Sequence, residues 1–178
     1  MIFYPAVSVL AAGNRIMAKP SEFTPNTANL IKEAVGKYFD ESEFAVFLGG
    51  PEVGSEFTAL PLDHLLYTGS GNIAKKVVAN AAKNLVPTTL ELGGKSPTII
   101  ASDANLELVA KRIMFVKTLN AGQICLSPDY IMVKKGLEEK LIAELKKVFN
   151  TFYPENNGAD YTSMVNDHRH NRMQEYLF

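Results

Sequence analysis

A chain of 178 residues with 47% hydrophobic and 21% charged side chains has an ordinary globular make-up, long enough for one domain with a real core or for parts of two. Its formal net charge of −1 argues against nucleic acid or an anionic membrane surface as a partner. The single cysteine excludes an internal disulfide and a cysteine-rich zinc site, and it makes a reducing, cytoplasmic setting the expectation.

The chain opens on the apolar stretch MIFYPAVSVLAAGN, which lacks the basic leading region of a secretory signal. We read it as folded protein, with a helix over residues 5–12 closing at Gly13. No apolar run reaches the length of a membrane span. A short strand over 15–19 stops at Pro20. Thr24 then serves as N-cap and Pro25 as the first residue of a helix, in which Leu30, Ile31, Ala34, Val35, Tyr38 and Phe39 recur at helical spacing. A strand over 43–48 precedes Gly49-Gly50-Pro51, and a short helix follows over 53–59. Residues 64–67 form a strand that runs into Gly69-Ser70. The next helix aligns Ile73, Ala74, Val77, Val78, Ala81 and Ala82 on one side, and a strand over 87–92 ends at Gly93-Gly94. This alternation predicts an α/β fold with a parallel sheet and helices on its faces. The pattern continues with a strand over 98–101, a helix over 106–119, a strand over 130–133, a helix over 138–152 and a last helix from about Asp167. The Gly-Gly turn marks a border between parts 1–95 and 96–178.

Four short segments carry chemistry. Cys125 closes Asn120-Ala121-Gly122-Gln123-Ile124-Cys125. A lone cysteine is more often an inert small hydrophobe. A loop between a helix end and a strand, beside a glycine, can instead expose a thiol next to free backbone N–H groups, which suits attack on a carbonyl. Glu91 reads by default as a surface glutamate at a strand end. Its apolar neighbours Leu90 and Leu92 and the two following glycines equally suit a partly buried general base. Tyr67-Thr68-Gly69-Ser70 links a strand to a helix, where a plain turn or a pyrophosphate site are both open. Lys19-Pro20-Ser21-Glu22 follows a strand as well. It is either a solvated loop or a ribose-binding one, with the carboxylate accepting the hydroxyls. His64, His168 and His170 sit in no nucleophile motif, and the last two point apart on a helix, so no metal site is expected.

Taken together and in this order, these motifs resemble the aldehyde dehydrogenase superfamily, in particular its class 3, fatty-aldehyde and coniferyl-aldehyde branch. Ala11-Ala12-Gly13-Asn14 with Lys19-Pro20-Ser21-Glu22 resembles the first nucleotide strand and ribose loop. Tyr67-Thr68-Gly69-Ser70 resembles the FTGS turn with Tyr for Phe. Residues 90–97 read LELGGKSP, the glutamate motif, and residues 120–125 fit the N-x-G-Q-x-C nucleophile motif, followed by Pro128-Asp129-Tyr130. The resemblance implies a Rossmann-like nucleotide part followed by the start of a catalytic α/β part. It implies NAD(P)-dependent oxidation of a small-molecule aldehyde to the acid. Cys125 would attack the carbonyl to give a thiohemiacetal, its own N–H contributing to the oxyanion hole, and loss of hydride to the nicotinamide would leave a thioester. Glu91 would activate the water that releases the acid. Lys19, Ser21 and Glu22 would line the ribose loop, Gly69 and Ser70 the pyrophosphate turn, and Leu92 and Gly93 the cofactor side of the glutamate strand. Glu22 would favour NAD over NADP by repelling a 2′-phosphate, although the branch accepts both.

Against the same family the sequence departs in four ways. Ala74 stands where the second glycine of the FTGS helix usually sits. Members are well over twice as long. The Pro-Trp-Asn-(Phe/Tyr)-Pro segment with the oxyanion-hole asparagine would precede Met1. The Glu-(Ile/Val)-Phe-Gly-Pro segment and most elements of the family's homo-oligomer would follow Phe178. The expectation is therefore an internal piece with weak or no activity by itself and an exposed apolar patch. The rival reading is an inactive nucleotide-binding or partner-docking module. A cofactor-free thiol esterase would leave Lys19, Glu22 and Ser70 idle.

Overall fold

The computed structural model describes residues 1–155 and 158–177. The chain divides into two compact units, Met1–Leu92 and Gly93–Phe178.

The first unit begins with helix α1 (Phe3–Ala11). Gly13 ends it in the left-handed region at φ 75°, its N–H donating to Leu10 O at 2.9 Å, a closure that a side chain would strain. Strand β1 (Ile16–Ala18) pairs in parallel with β2 (Phe44–Val46), Ile16 opposite Phe44, and helix α2 (Pro25–Tyr38) makes the crossover. Pro25 opens α2 as its spacing predicts, because its missing N–H is one the first turn cannot pair. Thr24 differs from expectation. Its hydroxyl makes no cap bond and faces Ser21 O at 3.5 Å instead. Ala6, Val35, Phe44 and Val46 form the core between these elements.

Helix α3 (Pro51–Thr58) leads to β3 (Leu65–Gly69), helix α4 (Gly71–Ala81) and β4 (Thr88–Leu92). β3 and β4 are parallel and in register from Leu65 opposite Thr88 to Gly69 opposite Leu92. Ala74, Val77 and Ala81 are buried at helical spacing, and Leu65, Val77, Ala81 and Val86 make a second small core.

In the second unit β5 (Ser96–Ile99) pairs in parallel with β6 (Pro128–Met132). Helix α5 (Leu106–Thr118) connects them, and Asn105 caps it by accepting from Leu108 N at 3.1 Å. Helices α6 (Glu138–Phe152) and α7 (Asp167–Leu177) follow. Ile100, Leu106, Ile113 and Leu141 form the core of this unit.

The α/β class and the parallel pairing match the reading of the sequence. The continuity of the sheet does not: the described strands pair two by two in three ladders. β1 and β2 hold three residues each and present few groups to a second neighbour. No described helix is long and apolar enough to cross a membrane.

Candidate active site

In the first unit, the parallel register of β3 and β4 fixes which motifs are neighbours. Thr68 lies opposite Glu91 and Gly69 opposite Leu92, so the Gly69-Ser70 turn and the glutamate strand end side by side at the carboxyl edge of the ladder. That edge is where α/β sheets bind ligands. Ser70 caps α4, its Oγ accepting from Ile73 N at 3.4 Å, and the space over the backbone of Gly71 is open. The first-turn N–H groups of a helix have no partner within it, so this end can receive an anion.

Tyr67 reaches over the same turn. A Cβ on Gly69 would fall against the Tyr67 hydroxyl and lie 2.7 Å from its Cζ, so a side chain there would have to displace the Tyr67 ring end. Burial pushes the Tyr67 phenol up, its hydrogen bonds to Ser70 pull it down, and the Glu22 carboxylate pushes it up again. Tyr67 therefore stands between the Ser70 turn and the loop after β1. In that loop Lys19 is largely buried, its stem beside Gly54 of α3, and Nζ lies 3.1 Å from both Pro20 O and Glu22 Oε2. Glu22 is held below the ordinary carboxylate range by a backbone hydrogen bond first, and by the Lys19 ammonium against the opposing effect of burial. Ser21 Oγ accepts from Phe23 N at 3.3 Å. A carboxylate, an amine and an open helix end in one unit are a donor and acceptor set that fits a dinucleotide.

Glu91 is exposed, as are all the residues from Thr89 to Leu92, which agrees with the default reading of a surface glutamate at a strand end and not with a partly buried one.

In the second unit, Cys125 is exposed at the tip of a tight turn, closed by Ser127 N donating to Ile124 O at 3.0 Å. The approach to this turn is left-handed at three successive residues, Asn120 (φ 53°), Ala121 (φ 55°) and Gly122 (φ 72°). A Cβ on Gly122 would lie 3.0 Å from Lys117 O, so this glycine is needed on two counts. The tail of the glutamate motif holds the tail of the cysteine motif. Ser96 Oγ donates to Cys125 O at 3.3 Å, and Lys95 Nζ lies 2.9 Å from Asp129 Oδ1. The register between β5 and β6 shifts at Ser96/Pro97, and Asp129 is the residue passed over. Ser127 Oγ is buried beneath the turn without a partner.

Residues 1–177 match the aldehyde dehydrogenase family. The chain belongs to that family. Among its relatives, a probable coniferyl aldehyde dehydrogenase of Caulobacter vibrioides is 47% identical over 178 residues, which is 99% of this chain and 37% of the relative. Among solved structures, AldH of Staphylococcus aureus in a substrate-bound state is 40% identical with a TM-score of 0.91, over 99% of this chain and 39% of that one. An aldehyde dehydrogenase of Mycobacterium tuberculosis complexed with NAD+ is 30% identical with a TM-score of 0.81, over 93% of this chain and 35% of that one. The chain thus spans well under half the length of the relatives it matches.

Within the chain, Lys19, Ser21, Glu22, Gly69 and Ser70 fall in one unit with Glu91 and Leu92, while Gly93 and Cys125 fall in the other. Two residues escaped the reading of the sequence. Tyr67 was visible only as a variant letter in the turn motif. Gln123 was a letter of the cysteine motif with no role, because its partners lie about forty residues further on.

Proposed function

We propose that this chain carries the nucleophile, the base and most of the nucleotide contacts of an NAD(P)-dependent oxidation of an aldehyde to a carboxylic acid. The observation that carries the reading is the pair of ties, Ser96 to Cys125 and Lys95 to Asp129, that join the glutamate and cysteine motifs of a chain in this family. Lys19 and Glu22 hold the adenosine ribose, Ser70 and the open end of α4 hold the pyrophosphate, Gly69 leaves the pyrophosphate turn without a side chain, and Leu92 and Gly93 line the cofactor side of the glutamate strand. The bound NAD or NADP supplies a hydride acceptor. Cys125 adds its thiolate to the carbonyl carbon, and the N–H of Cys125 donates to the oxygen that becomes negative. Glu91 takes a proton from the water whose oxygen replaces sulfur at the acyl carbon, and the thiolate leaves. An exposed glutamate reaches water directly, which suits that role. Coniferyl aldehyde, the substrate named for the Caulobacter relative, is the first probe to use.

The test is turnover of coniferyl aldehyde with NAD by the protein that contains this chain, with Cys125→Ser and Glu91→Gln beside it. Cys125→Ser abolishes oxidation. Glu91→Gln slows it by about a hundredfold or more, and an acyl group accumulates on Cys125 in the intact mass spectrum. Oxidation by Cys125→Ser at the unsubstituted rate would overturn the reading.

A further inference from the structure

The loop that leads into Cys125 is held in an unfavourable shape. Left-handed φ/ψ costs free energy at a residue with a Cβ, and here Asn120 and Ala121 adopt it in succession before Gly122. Such a loop persists only where its surroundings over-determine it. Gln123 supplies the determinants. Its Nε2 donates to Asn120 O at 2.9 Å and to Ser163 O at 3.2 Å, while its Oε1 accepts from Val165 N at 2.9 Å. Its backbone N–H also donates to Asn120 O at 3.1 Å, and Asn120 Nδ2 donates back to Gln123 O at 3.4 Å. One half-buried side chain therefore clamps the left-handed turn on one side and pairs with the backbone of the segment before α7 on the other. The pairing needs donor and acceptor at the same time. An amide offers both, an ionised carboxylate offers acceptors alone, and a hydrocarbon offers neither.

We propose that Gln123 is a positioning residue for the nucleophile: its amide locks residues 120–122 against residues 163–165 and so fixes how the following turn presents Cys125. This rests on Cys125 being the nucleophile, and it adds a residue that acts through the cysteine loop. It also makes the segment before α7 a support of the cysteine loop.

The test is amide hydrogen exchange on the full chain, comparing Gln123→Ala and Gln123→Glu with the unsubstituted protein, together with the alkylation rate of Cys125 by iodoacetamide across pH. Exchange at residues 120–125 and 163–165 is expected to rise by about tenfold or more in both variants while α5 and α6 keep their protection. The alkylation profile of Cys125 is expected to change with it. Where the oxidation is measured, kcat falls and KM for the nucleotide holds. Unchanged exchange in the loop, or a uniform loss of protection across residues 93–177, would overturn the proposal. So would failure of both variants to fold, which would assign Gln123 to stability alone. The Cys125→Ser chain separates the two readings. Full turnover by that chain removes the nucleophile assignment, whereas the exchange data on residues 120–125 read the clamp itself.

Discussion

A lysine whose side chain is 12% exposed needs an opposite charge, and Glu22 provides it at 3.1 Å. The folded chain holds the Glu22 carboxyl below its ordinary range, chiefly through a backbone hydrogen bond and then through Lys19. A depressed carboxylate adds stability above its unfolded pKa and loses it as pH falls through the folded one. Thermal stability followed from about pH 6 down to pH 2 should therefore fall less steeply in Glu22→Gln than in the unsubstituted chain. An unchanged acid limb would remove the pair from the account. At this scale the sequence was legible in kind and blind in partner. Lys19 and Glu22 could be placed in one loop because they are three residues apart. Glu91 could be singled out, but the choice between its surface and partly buried readings could not be made, since that depends on what covers β4. The bonds of Gln123 to Ser163 and Val165 were beyond reach, because long-range pairing leaves no periodic trace in a single chain.

Helices were the most legible elements, because their burial repeats along the chain. α6 runs from Glu138 to Phe152 as its inward Leu141 and Val148 require. Strand ends were less so, since three to five residues give a pattern little length in which to declare itself. Caps divide in the same way. Ser70 and Asn105 accept N–H bonds at the starts of α4 and α5, whereas Thr24 does not. Replacing Ser70 or Asn105 with alanine should each cost about 0.5–2 kcal/mol in urea unfolding, and Thr24→Ala much less. Equal costs at all three would mean that the cap geometry is not what holds these helix starts. Gly122→Ala should cost more than about 1 kcal/mol, because it adds a strained φ to a clash with Lys117 O.

At the scale of the whole molecule, the first unit holds two small cores and the second unit one, and both units leave large apolar side chains in the open. Leu65 is 5% exposed and Leu85 is 90% exposed. Leu65→Ala should therefore lose about 2–5 kcal/mol and Leu85→Ala less than about 0.5. The α/β class and the parallel pairing were legible from the alternation of periods, and the motifs identified the family. The division of the strands into three ladders was not, because alternation gives the order of strands and says nothing of which edges meet. The claim on which the functional reading depends is that Cys125 serves a nucleotide-dependent reaction. The most direct measurement is the rate at which iodoacetamide alkylates Cys125, with and without NAD at a concentration that saturates binding. The account predicts a severalfold change that Glu22→Gln and Ser70→Ala diminish. A thiol that reacts at one rate whether or not NAD is bound would contradict it.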